Sequence, residues 1–330
     1  MLLVRTTKLL AILLPLSWCH ASANTRSGSM EVSWNPGASN CERQPQPAIQ
    51  THEYNTTTYV LRENLCAHVA APFMYLLIGT KQALLIDTGA VSDAALAPLA
   101  TTVQALLARQ SPRRALIIVH TADDAIHKAG DSQFSGMSSV EIVASGGASV
   151  LSRFNFKDWP YGTGQIDLGN RIIDALSTPG THETHVAYYD RQTALFFSGD
   201  FLFPGRLKVD DSVAYLASAR RVAEFAKSHK IAYVLGSHIE TNTNGKLLSM
   251  PTWHPHEHAL QLTAYDLMAL PGNLHAFNGV YNRHEQYVLT SQSRIMALYF
   301  LCAVMILAAF EWSVRAWSTR GIKRESHETT

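Results

Sequence analysis

The sequence predicts an α/β domain in which sheets and helices form layers, and three observations favour this fold class. Short apolar segments of strand length recur along the chain. Between them lie longer stretches whose apolar residues have helical spacing. Strands that alternate with helices are typical of layered α/β structures. With 330 residues, of which 47% are hydrophobic, the chain is also long enough to bury a substantial core.

The predicted elements begin at residue 58, after a polar, proline-rich segment, 24–57, that is expected to be an extended arm. Strands are predicted at 59–62, 73–79, 82–87, 115–119, 141–144, 165–168, 171–175, 186–189, 194–198 and 231–235. Helices are predicted at 92–109, at 148–154 and at 212–227, with Ser92 as the N-cap of the first. Residues 275–288 are aromatic and mixed and give no assignment. The folded domain is expected to span 58–290.

Residues 1–23 are predicted to be a signal peptide. Arg5 and Lys8 form a basic region, residues 9–16 form an apolar core, and the small residues 21–23 form a cleavage site. An uncleaved anchor is the alternative, but the apolar run is short for a membrane span. The sequence therefore predicts export.

A second apolar segment lies near the C-terminus. The run 295–310 is unbroken, and a transmembrane helix is predicted at 295–314, where the length suffices to cross a bilayer. A buried core helix is the alternative. Basic residues are denser after this segment than before it, so the basic tail, 315–330, is expected to be cytoplasmic. This predicts an exported single-pass protein in a bacterial inner membrane, with its main domain on the periplasmic face.

Cysteine usage and net charge add two expectations. Cys41 and Cys66 remain in the exported domain once the signal peptide and the predicted span are set aside, so a disulfide is predicted between them. Two free buried thiols are the alternative. The net charge of +1 gives no reason to expect a nucleic-acid partner.

The most informative stretch is 115–131, where an apolar strand ends in a segment rich in His and Asp. Rigid strand ends commonly hold metal or catalytic side chains. Other predicted strand ends and loops contribute further candidates, namely Asp87, His182, Asp200 and His238. Imidazoles and carboxylates that converge from separate loops suit zinc, iron or manganese.

In their order along the chain, these motifs resemble those of the metallo-β-lactamase superfamily, especially exported or membrane-associated bacterial members related to glyoxalase II. The matching segments are Leu84-Leu85-Ile86-Asp87-Thr88-Gly89, residues 115–131, Thr178-Pro179-Gly180, Phe197-Ser198-Gly199-Asp200 with Pro204-Gly205-Arg206, and Leu235-Gly236-Ser237-His238-Ile239-Glu240. The resemblance implies a four-layer αββα sandwich over about 58–290 and a metal site at the strand ends.

The resemblance also places the family's ligand positions on this sequence. The His-x-His-x-Asp-His motif falls on Ala122, Asp124, Ile126 and His127. The histidine that follows Pro-Gly falls on Thr181, with His182 next to it. The bridging aspartate and the last histidine fall on Asp200 and His238.

The first metal of the family's pair would thus have no imidazole ligand here. The second would keep His127, Asp200 and His238, with Asp124 as a further candidate. Ile126 replaces the aspartate that orients the family's nucleophile. The resemblance therefore implies an incomplete dinuclear site, with one zinc, manganese or iron ion or none.

Several of these residues have simpler interpretations. Asp87 is expected to fix a turn or support a ligand, and His120 and His182 are expected to be polar loop residues. His127 and His238 are either ligands or hydrogen-bonded core histidines. The sequence leaves both alternatives open for that pair.

Two functions follow as hypotheses. The first is a membrane-tethered protein that kept the fold, lost the family's hydrolysis and serves to bind or scaffold a small molecule or protein. The second is a divergent mononuclear metallohydrolase that acts on a small ester or thioester. The membrane is an expected partner of both through the C-terminal helix.

Overall fold

Two six-stranded sheets form the centre of the protein in a computed structural model, which describes residues 27–156, 159–249 and 251–325. The first sheet contains β1 (Ile49–Asn55), β2 (Thr58–Glu63), β3 (Phe73–Ile78), β4 (Gln82–Ile86), β5 (Ala115–Val119) and β6 (Val140–Ile142). These strands lie side by side in chain order. Pairing is antiparallel from β1 to β4 and parallel from β4 to β6.

The second sheet has the order β13-β12-β10-β9-β8-β7. The strands of this half are β7 (Thr163–Asp167), β8 (Ile172–Ser177), β9 (Val186–Asp190), β10 (Leu195–Gly199), β11 (Arg206–Lys208), β12 (Tyr233–Gly236) and β13 (Gln261–Leu262). The strand β11 instead joins β14 (Tyr281–Arg283) and β15 (Val288–Thr290) in a small third sheet.

Helices flank the sheets and extend the C-terminus. They are α1 (Leu99–Ala108), α2 (Ala125–Lys128), α3 (Gly147–Phe154), α4 (Ser212–Ser228), α5 (Ala264–His275) and α6 (Gln292–Glu325), with a 3-10 helix at Ala129–Phe134. The side chain of Asp211 caps α4 by accepting bonds from the amides of Val213 and Ala214.

The apolar residues separate into three clusters that define the layers. Tyr75 and Ile117 of the first sheet share one cluster with Phe197 of the second, so the sheets pack face to face. Side chains alternate along a strand, so the neighbouring Ile118 points outward and packs in the cluster that contains α1. The cluster on the outer face of the second sheet contains α4 and α5. The four-layer αββα arrangement is therefore confirmed.

The parallel strands bring their carboxyl ends to common edges of the two sheets. In the first sheet β4 leads into Asp87 and β5 leads into His120. In the second sheet β10 leads into Asp200 and β12 leads into Ser237 and His238. The sheet topology thus brings together the polar residues that follow these strands in the sequence.

The structure differs from the sequence prediction in one helix start and in one additional helix. The helix α1 begins at Leu99 rather than near Ser92, because Pro98 disfavours a helical conformation at Ala97 and lacks an N–H. The helix α5 was not predicted, since Pro271 lies inside it. Its start is nevertheless marked in the sequence by a capping box between Thr263 and Asp266.

The segment before residue 58 is part of the fold. β1 lies within the range expected to be an arm and pairs with β2 along the edge of the first sheet. The predicted disulfide is confirmed between Cys41 and Cys66, whose Cα atoms are 5.6 Å apart. It links this N-terminal segment to the β2–β3 connection.

The C-terminal helix agrees with the prediction of an apolar span. Within α6, the segment from Gln292 to Arg315 contains an 18-residue window with a mean hydropathy of 2.1, and that window is not buried against the domain. It is long and apolar enough to cross a membrane. The predicted signal peptide, 1–23, lies outside the described residues, and the predicted orientation of the tail stays a prediction.

Candidate metal centre

His127 is the best-positioned imidazole at the strand ends. It lies on the short helix α2 and is 1% exposed. Its Nδ1 is 2.9 Å from Asp87 Oδ2 and 2.9 Å from the hydroxyl of Thr121. A carboxylate accepts hydrogen bonds, so Nδ1 carries the proton that it donates to Asp87. Nε2 is therefore the nitrogen that holds either a lone pair or a second proton.

Asp87 is held as firmly as the ring it supports. Its carboxylate accepts bonds from the amide and the hydroxyl of Thr121, both at 2.7 Å. Its backbone has φ +62°, a left-handed conformation that costs energy in a residue other than glycine. The expected supporting role of Asp87 is thus consistent with its contacts.

The free face of His127 points at two carboxylates. Nε2 is 3.5 Å from Asp200 Oδ2 and 3.8 Å from Asp124 Oδ1. It is buried and has no hydrogen-bond partner within the described chain. Buried imidazole nitrogens normally find a partner, so this atom needs another explanation. Asp124, His127 and Asp200 together form a group whose ligand atoms lie within 4.8 Å of one another.

His182 reaches the same carboxylates from the loop after β8. Its Nε2 is 3.2 Å from Asp124 Oδ2 and 3.7 Å from Asp200 Oδ2. This side chain is 25% exposed, against 1% for His127. From the sequence, His182 was expected to be a polar loop residue that could reach a metal only if it swung in, because its place one residue after Thr181 is visible in the sequence but its reach is not.

The donor separations suit one metal ion. Ligands about 2.1 Å from a tetrahedral zinc ion lie about 3.4 Å apart. The four distances from the imidazoles of His127 and His182 to the carboxylates of Asp124 and Asp200 range from 3.2 to 3.8 Å. Asp124, His127 and Asp200 are the group whose ligand atoms all lie within 4.8 Å of one another. The carboxylate–imidazole donor set is also one that zinc, iron and manganese accept. These residues therefore fit a single cation.

The buried carboxylates make the cluster electrostatically negative. Burial alone would lower the pKa of His127, but Asp87 and Asp200 raise it well above its ordinary value. Burial would raise the pKa of Asp200, but His127, His182 and His238 hold it well below the usual range. A positive charge beside Asp200 is thus favoured, whether it is a proton on His127 or a bound cation.

His238 lies at the edge of this cluster. Its Nδ1 is 2.8 Å from the hydroxyl of Ser237, which also donates to Asp200, and 3.6 Å from Asp200 Oδ1. Its Nε2 is 3.6 Å from Glu240 Oε1. His238 therefore divides its contacts between Asp200 and Glu240, and the compact group of three ligands does not include it. Its role as a ligand stays a prediction.

His120 serves a different contact. Its Nε2 is 2.9 Å from Asp131 Oδ1, and Asp131 also accepts a bond from the hydroxyl of Thr88 at 2.8 Å. The pair ties the end of β5 to the 3-10 helix.

His185 is a further histidine near the cluster that no sequence motif indicated. It is fully buried, with Nδ1 2.7 Å from the hydroxyl of Thr178. Burial lowers its pKa to about 3, so it is neutral. Its Nε2 has no partner among the described residues, and a Cβ on Gly199 would lie 2.9 Å from that atom. No sequence motif singled it out, because it comes just before an ordinary apolar strand.

A cleft of about 420 Å³ opens beside the cluster. Asp200, His238 and Ile126 line it on the side of the cluster. Ile126 and Thr181, on which the sequence resemblance places two ligand positions, both line this cleft. Ala122, at a third such position, is buried.

Comparison with known proteins places the likeness in the fold. No protein-family model and no curated protein matches the sequence. Similar solved structures include a metallo-β-lactamase from Pontibacter korlensis, at 16% identity over 68% of this chain and 99% of that one, with a TM-score of 0.47. Another is DIM-1 metallo-β-lactamase, at 14% identity over 69% of this chain and 98% of that one, with a TM-score of 0.46. A third is a metallo-β-lactamase from Hirschia baltica, at 12% identity over 58% of this chain and 91% of that one, with a TM-score of 0.43. The αββα assignment rests on the sheet order and packing of this chain itself.

Proposed function

We propose that this protein is a membrane-tethered, single-metal hydrolase in which Asp124, His127 and Asp200 hold one divalent cation. The observation that carries the proposal is the Nε2 atom of His127, which is buried, without a hydrogen bond among the described residues, and aimed between two carboxylates. A cation placed there would satisfy all three groups. His182 is the fourth candidate ligand, through its contacts with both carboxylates.

The hydrogen bond made by the other ring nitrogen of His127 supports this proposal. A metal-binding imidazole usually donates its other N–H to a carboxylate, which fixes the tautomer and the ring. Asp87 occupies that place for His127 at 2.9 Å.

A bound zinc, manganese or iron ion would supply an activated water and polarise a carbonyl or phosphoryl oxygen. The residues of the chain would determine what reaches it. Asp200 is the member of the ligand group that lines the cleft, so a substrate in the cleft would approach the ion on that side. A small ester or thioester is the substrate class that we propose.

The membrane tether is supported by the length and hydropathy of α6. The disulfide between Cys41 and Cys66 supports an oxidising compartment for the domain. Together with the excess of basic residues after the span, these features favour a domain on the outer side of a membrane.

The metal proposal is tested by elemental analysis of the full chain, purified in detergent after exposure to zinc, manganese or iron. We expect about one ion per chain and a large loss in His127→Ala and Asp200→Asn. His275→Ala, at the exposed end of α5, is the matched control and should keep its metal. A metal-free wild type, or equal metal in all variants, would overturn the proposal.

A non-catalytic binding protein is the second candidate, and Ile126 favours it. An apolar side chain faces the cleft at the position where the family has a carboxylate. The two functions separate in an assay of the metal-loaded chain against simple esters and thioesters. Turnover that disappears with a chelator supports the hydrolase, whereas stoichiometric metal without turnover supports the binding protein.

A further inference from the structure

The cleft beside the metal centre is joined to the base of the C-terminal helix. The strand β15 ends at Thr290 and α6 begins at Gln292, so one residue separates the domain from the span. Thr290 and Gln292 both line the cleft. The guanidinium of Arg294 donates to the carbonyl of Gly279 at 3.3 Å, which ties the first turn of the helix to the domain. A cleft fixed in this way lies at the level where the helix would enter a membrane.

The same wall of the cleft carries basic side chains. The strand β11 pairs with β15 in parallel, and Lys208 lies opposite Thr290. Lys208 and Arg206 line the cleft. Arg206 is already bound to Glu240 through two nitrogens, at 2.9 and 3.0 Å. The side chain of Lys208 is exposed, and its ammonium has no hydrogen bond or ion pair within the part of the chain that the structure describes.

Apolar side chains complete the cleft and its surroundings. Val69, Phe203 and Leu248 line it, and Val69 is 53% exposed. On another side of the helix base, a groove lined by Ser293 and Arg294 includes Val213, which is 78% exposed. Exposed apolar groups near a membrane helix are typical of surfaces that contact the lipid interface.

We propose that the cleft binds an amphiphile from the membrane, whose anionic headgroup is held by Lys208 and whose acyl chain extends past Val69 toward the bilayer. A free Lys208 in a cleft with apolar walls suits a negative headgroup joined to a hydrocarbon chain. Cleavage of an ester or thioester bond in this ligand rests on the proposed function. Its binding does not require the metal ion, but the membrane as the source of the ligand rests on the tether in the proposed function.

The test uses the full chain in nanodiscs of phosphatidylcholine and a dansyl-labelled lysophosphatidylglycerol as the probe. Fluorescence titration should show saturable binding that Lys208→Glu weakens about tenfold or more and Lys208→Gln weakens less. Lys230→Glu, which changes an exposed lysine after α4 that lines none of the described clefts, is the matched control and should bind as the wild type does. Equal binding by Lys208→Glu and wild type would overturn the proposal.

Two competitors identify which part of the ligand is recognised. Unlabelled lysophosphatidylglycerol should displace the probe, whereas inorganic phosphate and an uncharged monoacylglycerol should do so poorly. If inorganic phosphate displaced the probe at the same concentration as lysophosphatidylglycerol, the site would recognise a free anion. This result would overturn the proposal that the ligand is an amphiphile. Equal displacement by monoacylglycerol would overturn the role of Lys208.

The same titration is repeated on His127→Ala to separate this proposal from the metal centre. The variant removes a proposed ligand and leaves Lys208 in place, so we expect it to bind the probe as the wild type does. Loss of probe binding in His127→Ala, with an unchanged circular dichroism spectrum, would contradict a headgroup site that is independent of the ion. A wild type that contains no metal but still binds the probe would refute the proposed metallohydrolase and leave the amphiphile site standing.

Discussion

His127 Nδ1 lies 2.9 Å from Asp87 Oδ2, and this single contact determines which nitrogen of the ring faces the carboxylates of Asp124 and Asp200. The pair joins the end of β4 to the helix that follows β5. The orientation of a proposed metal ligand is therefore controlled by a residue from a neighbouring strand.

Replacing Asp87 should affect stability and metal affinity together. In Asp87→Ala the buried amide and hydroxyl of Thr121 lose their acceptor, so we expect the free energy of unfolding to fall by about 3 kcal/mol. Asp87→Asn keeps the volume but removes the charge that favours the proton on Nδ1, and metal affinity should fall about 10- to 100-fold. Chemical denaturation and metal titration measure these effects. Asp93→Asn, at an exposed aspartate before α1, is the control, and unchanged metal affinity in Asp87→Asn would contradict the orienting role.

Restoring a carboxylate at position 126 should strengthen the metal centre. Ile126 faces the cleft one residue before His127, so Ile126→Asp adds an oxygen donor beside the ligand group. We expect metal affinity to rise about tenfold, because carboxylates are good ligands for zinc, iron and manganese. Competition against a metal-binding dye measures the change, with Ile126→Asn as the uncharged control. An equal or weaker affinity in Ile126→Asp would show that this position does not face the ion.

The carboxyl of Glu63 should make stability depend on pH. Burial raises its pKa from 4.5 to about 7, although the amides of Ala90 and Val91 donate to it. The folded state therefore holds this proton more tightly than the unfolded chain, and its contribution to stability is lost as pH rises from 4.5 to about 7. The loss is about 3 kcal/mol, from the size of the shift.

Glu63→Gln should remove this pH dependence while keeping an acceptor for the amides. Urea denaturation at several pH values measures the difference between the variant and the wild type. The same change at the exposed Glu53 on β1 is the control. A wild type and a Glu63→Gln variant with parallel pH profiles would contradict the assignment of a buried, protonated Glu63.

The disulfide should contribute to stability only under oxidising conditions. It closes a loop with a sequence separation of 25, and its loss in Cys41→Ser should lower the free energy of unfolding by about 3 kcal/mol. Adding a reductant to the wild type should have the same effect. Cys302→Ser, in the apolar helix, is the control, and its stability should match that of the wild type both with and without reductant. Equal stability with and without reductant would contradict a structural role for the bond.

Strands with a clear run of apolar residues were predicted correctly from the sequence. β5 occupies the predicted range 115–119, because five apolar residues between polar segments leave little choice of element. The αββα layers followed from the resemblance of the motif order, and the packing of the two sheets confirms them. The predicted start of α1 at Ser92 is too early, because Pro98 sets the first turn of the helix after it.

The candidate site was predicted in its residue types more than in its geometry. Asp124, His127 and Asp200 were named from motif positions and lie together. The orientation of His238 toward Glu240 and the approach of His182 depend on the paths of two loops, which no short sequence pattern encodes. His185 could not be found because its contact with the site depends on the close approach of Gly199.

The central claim, one cation held by Asp124, His127 and Asp200, is tested most directly by anomalous diffraction from crystals of the zinc-loaded full chain. The account predicts one strong peak about 2.0–2.1 Å from His127 Nε2, with oxygens of Asp124 and Asp200 at similar distances. The peak should be absent in crystals of His127→Ala grown in the same way. No peak at this position, or a zinc ion bound by His238 and Glu240 without His127, would contradict the account.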